Sequence, residues 1–144
     1  MFDVTSGGDA VLEQNKSLIR RFVDEMVNKG NLAIIDEVIA SNFIDHDAPL
    51  DQTPGPEGVR RTLEAIYRSL THFMVTTDDM VAEGDRVVTR HTAEATHTGP
   101  FLGFAATGKR LRWMAISIYR IADGRIAERW GLMDYRSLQR QLEA

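Results

Sequence analysis

The densest acid–base cluster of the chain is Asp45-His46-Asp47. A histidine beside carboxylates suits proton transfer, because the carboxylate fixes the imidazole tautomer and raises its basicity. Asp45 and His46 are therefore candidate catalytic groups. The same tripeptide also reads as a turn whose aspartates cap backbone amides. Asp134 is the third candidate. It follows Trp130 and Met133 where the last predicted strand ends. At a cavity mouth, beside an indole, desolvation would raise its carboxyl toward the range of a general acid. The competing role is N-cap of a helix that starts near Tyr135.

His91 and His97 share strand parity with Thr89, Ala93 and Ala95, so both turn to one side of the strand. Trp113, Ser117 and Tyr119 likewise share a face. With Phe22, Met26 and Tyr67 from the helical half, and with Trp130, these residues form a candidate binding wall for a flat or polyene-like molecule. Ser117 and Tyr119 offer hydrogen bonds to a carbonyl or enolate oxygen. The same stripe also reads as core packing. No His-x-His or His-Glu-x-x-His spacing occurs and cysteine is absent, so no metal site is expected. The glycines from Gly99 to Gly108 lack the Gly-Lys-Ser/Thr ending of a phosphate loop. No Gly-x-Ser-x-Gly supports a hydrolase serine at Ser6 or Ser117. Arg90, Arg110, Arg112 and Glu128 read as cross-strand surface partners.

Three helices and about four strands must position these groups. Apolar residues at Val11, Leu18, Ile19, Phe22, Val23, Met26 and Val27 have helical spacing, which stops at Asn28-Lys29-Gly30. Asn31 then caps a second helix carrying Leu32, Ile34, Ile35, Val38 and Ile39. Ser41 to Asp47 is a short irregular or extended piece, and Ala48 to Pro56 a proline-rich loop. Pro56 opens a third helix with Val59, Leu63, Ile66, Tyr67 and Leu70 on one stripe. The pattern then changes to alternation over 72–83, 86–97, 111–121 and 125–132, with turns at Glu83-Gly84-Asp85 and Ala122-Asp123-Gly124. Tyr135 to Leu142 closes the chain as a helical turn or two. Helices segregated from antiparallel strands define an α+β domain.

The chain has 144 residues, 43% apolar and 26% charged, which suits one compact domain. A flexible tail is expected over 1–9 and a single domain over 10–144. With 17 Lys and Arg against 21 Asp and Glu, the net charge of −4 argues against a nucleic-acid surface. No apolar run approaches a membrane span, and Met1 to Ala10 carries no signal core, so a cytoplasmic protein is expected. One strand bears on assembly. In Arg112 to Arg120 the odd positions Trp113, Ala115, Ser117 and Tyr119 and the even positions Met114, Ile116 and Ile118 all avoid charge. An antiparallel sheet backed by helices on one side should leave its other face polar. An apolar second face predicts a homodimer through the sheet.

A series of short motifs carries a resemblance. It runs through Phe22 to Asn31, Phe43-Ile44-Asp45-His46-Asp47, Gly55-Pro56-Glu57-Gly58, Glu83-Gly84-Asp85-Arg86-Val87-Val88 and His97-Thr98-Gly99-Pro100-Phe101-Leu102-Gly103. It ends with Thr107-Gly108, Tyr119 to Glu128, Trp130, Asp134 and Gln141-Leu142. In this order the chain resembles the SnoaL-like polyketide cyclases, or ester cyclases, of the nuclear transport factor 2-like superfamily. The resemblance implies a cone-shaped α+β barrel, with N-terminal helices packed in the concave face of a curved, mainly antiparallel sheet around a deep apolar pocket. It implies ring closure of a polyketide-type intermediate, a hydrophobic small molecule, in antibiotic or other natural-product biosynthesis. The best-known members close the ring by an aldol reaction with neither metal nor cofactor. Relatives on the fold isomerise, dehydrate or hydrate, and some only bind a small molecule. The chain departs from the aldol cyclases where they carry a catalytic Asp, which aligns with Gly131. Their strand Gln and His fall on Ala115 and Ser117, their Asn on or beside Asp45, and their Pro-Pro on Ala105-Ala106. The departures imply a different polar set and either aldol-type or pericyclic closure.

Overall fold

The computed structural model describes residues 4–48 and 53–144. Helix α1 (Val4–Arg21) runs directly into a π-helical segment, Phe22–Asn28. The widened segment buries Val23, Met26 and Val27 side by side. It then ends at Gly30, whose φ of +68° is the left-handed stop that the Asn-Lys-Gly signal predicts. The helix starts at Val4, ahead of the start near Asp9 that apolar spacing suggests; Gly8 to Ala10 are exposed, so spacing carries no signal there.

The expected second helix is shorter than predicted. A 3-10 turn, Leu32–Ile34, leads into a single α-turn, α2 (Ile35–Val38), and Asn31 makes no side-chain cap. The chain is extended from Ile39 onward, which the β-branched Ile39 accommodates well. Strand β1 (Ile39–Asp45) thus replaces the irregular piece expected at 41–47. Positions 49–52 of the predicted proline loop lie outside the described residues. Helix α3 (Gly55–Ser69) follows, then β2 (Leu70–Glu83), β3 (Arg86–His97), β4 (Arg110–Ala122), β5 (Arg125–Met133) and helix α4 (Tyr135–Glu143).

The sheet has five strands rather than four, in the order β1-β5-β4-β3-β2. β1 lies parallel to β5, and the other pairings are antiparallel. Register shifts at Thr71/Met74, Thr77/Asp79 and Arg120/Ile121 mark bulges, which bend strands and increase twist. The sheet does not close. It wraps the helices as an α+β cone. Side chains that mimic backbone seal two exposed strand edges. Asn28 makes two 2.8 Å bonds to the N–H and C=O of Val75. Gln141 does the same for Arg112, at 2.9 and 2.7 Å.

Alternation then sorts the faces. On β3 and β4 the odd positions point into the cone, so Val87, Thr89, His91, Ala93, Ala95, Leu111, Trp113, Ser117 and Tyr119 are all buried. Two apolar clusters fill the interior. One joins Ile19, Met26, Ile35, Val38, Ile39, Val87 and Ile126; the other joins Leu70, Ala93, Ala95, Leu111, Trp113 and the α4 residues Leu138 and Leu142. On the outer face Met114, Ile116 and Leu132 are exposed, the last at 76%. No helix among the described residues is long and apolar enough to cross a membrane.

Candidate active site

A cavity of about 800 Å³ opens between the two clusters. Phe22, Phe43, Phe73, Phe101, Trp113 and Met133 give it an apolar body. One region of its wall is polar, built by a row of register partners. Tyr119 of β4 faces Arg129 of β5, and Arg129 faces Asp45 of β1. Nη1 of Arg129 donates to both carboxylate oxygens of Asp45, at 3.0 and 3.1 Å. Asp47 turns back toward the row: its N–H donates to Asp45 Oδ1 at 3.0 Å, and its Oδ2 accepts from the Gly131 N–H at 2.8 Å. Burial alone would lower the Arg129 guanidinium, but the facing Tyr119 and Asp45 hold it above its ordinary value.

His91 extends this polar region. Its ring sits between the hydroxyls of Thr77 (3.2 Å from Nδ1) and Thr89 (2.6 Å from Nε2). Burial, followed by the charge of Arg129, lowers it to about 4, against a weaker opposing pull from Asp78. It is therefore a neutral imidazole at physiological pH. Ser117 pairs with Thr89 on one side and Gly131 on the other. Phe22, His91, Trp113, Ser117, Tyr119 and Asp45 all line the cavity.

The remaining candidates are placed elsewhere. The His46 N–H bonds the Arg129 carbonyl at 2.9 Å, continuing the β1–β5 ladder, so its side chain turns out where Asp45 turns in. Its ring stacks on Trp130 at 4.7 Å on the outer surface, with Arg86 4.9 Å from the same indole. Trp130 itself is an outward residue of β5 and no cavity wall. Asp134 accepts from the Ser137 N–H at 3.0 Å and caps α4, the alternative role read from the sequence. Met26 is fully buried in the core. Tyr67 donates its hydroxyl between the carbonyls of Met26 (3.0 Å) and Val27 (2.7 Å), a half-buried clasp on the π-helical segment. His97 is fully buried at the base of the 98–109 loop. Its Nδ1 accepts from the Thr107 N–H at 3.2 Å, and its Nε2 has no hydrogen-bond partner among the described residues.

Residue-type reasoning missed Arg129, which it had no reason to place inside. The signal lay two residues further along. A Cβ on Gly131 would fall 2.6 Å from Cζ of Arg129 and 3.1 Å from its Nη1, and closer still to Nη2. The guanidinium occupies the space that a side chain at 131 would need. Among the described residues no group of three or more metal-ligating side chains gathers anywhere.

A helix-filled α+β cone with an apolar cavity and a small polar wall defines the nuclear transport factor 2-like architecture. Within it the chain belongs to the SnoaL-like polyketide cyclase family, whose sequence profile matches residues 17–142. Solved structures agree. TsrD from Streptomyces laurentii is 28% identical, with a TM-score of 0.81 over 99% of this chain and 98% of that one. IdmH from Streptomyces antibioticus, a candidate polyketide cyclase, is 29% identical, with a TM-score of 0.77 over 91% and 99%. A SnoaL-like polyketide cyclase from Agrobacterium tumefaciens is 17% identical and supports the fold alone, at a TM-score of 0.78 over 89% and 97%. No curated protein matches the chain.

Proposed function

We propose that the chain is a cofactor-independent cyclase of a polyketide-type natural-product intermediate, with Asp45 as its proton-transfer group. One observation carries the reading: a carboxylate stands on the wall of a large apolar cavity, held there by a guanidinium. An apolar cavity selects a folded conformer of a flexible chain, and holding reacting carbons together contributes on the order of several kcal/mol. Asp45 then removes a proton from the carbon beside a carbonyl and returns it to the alkoxide formed on closure. This favours aldol-type over pericyclic closure, which would need only the shape of the wall.

The test is turnover of a poly-β-ketone chain by the wild type and by Asp45→Asn, with ring formation read by mass spectrometry. A loss of roughly 10²- to 10⁴-fold with an unchanged circular dichroism spectrum is expected. Equal rates would sink the role of Asp45 and leave shape-driven closure. Binding without consumption by either protein would make the chain a carrier.

The outer face supports a homodimer as the working form. Val81, Val88, Ile118 and Trp130 are successive register partners across four strands, and Ile116 pairs with the protruding Leu132 beside them. Charged rows border this stripe on both sides: Arg86, Arg120 and Glu128 on one, Asp79 and Arg90 on the other. A second copy related by a two-fold axis could bury the stripe and pair opposite charges. Ile116→Asp should convert a dimer into a monomer in light scattering, and a wild-type monomer would exclude the arrangement.

A further inference from the structure

We propose that Arg129 is a second catalytic residue of the cavity, holding the substrate oxygen on which negative charge develops while Asp45 takes the proton. The inference rests on the reading of Asp45 as the base and assigns the cavity a substrate class: β-dicarbonyl compounds with an apolar body.

Three observations carry it. The first is position. Tyr119, Arg129 and Asp45 form one row across three adjacent strands, and all three line the cavity. The second is space. The guanidinium lies over residue 131, the next inward position of the same strand, where any Cβ would collide with it. Glycine inside a strand weakens it and commonly marks a close approach. An arginine kept only as a surface partner would need no such gap. The third is the bonding pattern. A fork-to-fork ion pair engages a carboxylate through two nitrogens. Here both contacts to Asp45 use Nη1, so Nη2, nearest the Gly131 position, is not committed to that carboxylate.

The chemistry follows from the charges. The Asp45 carboxylate takes a proton from the carbon between two carbonyls. The C–H electron pair becomes the C=C bond of an enolate, and a carbonyl π pair moves onto its oxygen. The negative charge thereby passes from Asp45 to that oxygen, and the same guanidinium faces both positions. A fixed cation that matches the charge before and after transfer stabilises the enolate with little reorganisation. The enolate carbon then bonds to a second carbonyl carbon, whose oxygen accepts the proton from Asp45. His91, neutral and flanked by two threonine hydroxyls, leaves Arg129 as the cation of this wall.

The test uses benzoylacetone, a β-diketone with an aromatic end whose enol and enolate absorb at different near-ultraviolet wavelengths. Titrated on the wild-type protein, bound diketone should ionise at lower pH than free diketone, with at least a tenfold preference for the enolate. Arg129→Met should abolish that preference, and Arg129→Lys should restore part of it. Gly131→Ala, which displaces the guanidinium without removing it, should act like Arg129→Met, and the double variant should lose nothing more. Thermal melting confirms that each variant is folded. Failure of the wild type to bind the diketone or favour its enolate overturns the assignment, as does a preference that survives Arg129→Met. Asp45→Asn separates the two readings. It should keep or increase the preference for enolate, since the competing carboxylate is gone, while abolishing ring closure. Ring closure that persists in Asp45→Asn would remove the base and leave Arg129 standing.

Discussion

The buried histidine makes stability depend on pH in a defined window. His91 is 6% exposed, and both its ring nitrogens contact threonine hydroxyls. Those hydroxyls could accept from an imidazolium, so hydrogen bonding does not forbid protonation. Burial and the nearby Arg129 charge do, and they lower the folded-state value from 6.5 to about 4. The unfolded chain, with its ordinary imidazole, takes up the proton first. Stability from this group is therefore complete above 6.5 and lost as the pH falls toward 4. The full effect is about 3 kcal/mol, and about 2 kcal/mol of it should be gone at about pH 5. Urea unfolding at about pH 7.5 and about pH 5 should show that loss in the wild type, and His91→Gln should flatten it by about 2 kcal/mol. Glu128 is also held below its ordinary value, first by its bond to Arg120, but its contribution is lost only at more acidic pH. A His91 imidazole resonance that titrates near 6.5 in the folded protein would refute the reasoning. So would a Gln variant that loses as much stability as the wild type.

Three further outcomes are expected. Asp134→Ala should lose the α4 cap, at a cost of about 1 kcal/mol, and lower the melting temperature by about 2–4 °C; a fall in turnover without a fall in melting temperature would instead make Asp134 a proton donor. Gly58→Ala should destabilise severely, because a Cβ there would strike the Thr53 carbonyl, with the Thr53 carbonyl carbon 2.9 Å away; a melting temperature within a degree or so of wild type would mean that this segment yields easily. In a Trp130→Phe background, the fluorescence of Trp113 should respond to benzoylacetone, because Trp113 lines the cavity; an unchanged spectrum at saturation would place the ligand elsewhere.

Much of the fold was legible because local signals and burial agree. β3 begins and ends where its Val and Thr alternation does, and β4 extends the predicted 111–121 by one residue at each end. The turns at Gly84 and at Asp123-Gly124 fix those hairpins, with φ positive at all three residues. β1 was not legible as a strand. Its burial does not alternate, and its partner β5 lies more than 80 residues further on, in a parallel pairing that no local turn announces. The second helix was overread because Ile34, Ile35, Val38 and Ile39 fit a helical stripe and an extended chain about equally well.

The same distinction governs the site. Asp45 and His46 are adjacent, and as residue types they make a plausible pair. Once Ile39–Asp45 is a strand whose ladder continues through the His46 N–H, adjacency places them on opposite faces. The groups that do meet, Tyr119, Arg129 and Asp45, are separated in sequence and joined only by register. Gly131 illustrates the difficulty most clearly. Read against related cyclases, it marks a missing carboxylate. Read in the sheet, it is the opening that lets a guanidinium lie beside a carboxylate from another strand. An arginine in an alternating strand has no local mark of being inward, since its neighbours Glu128 and Trp130 are equally consistent with either parity. Only the strand register decides, and register is set by β4, whose inward tryptophan, serine and tyrosine leave Arg129 facing the cavity.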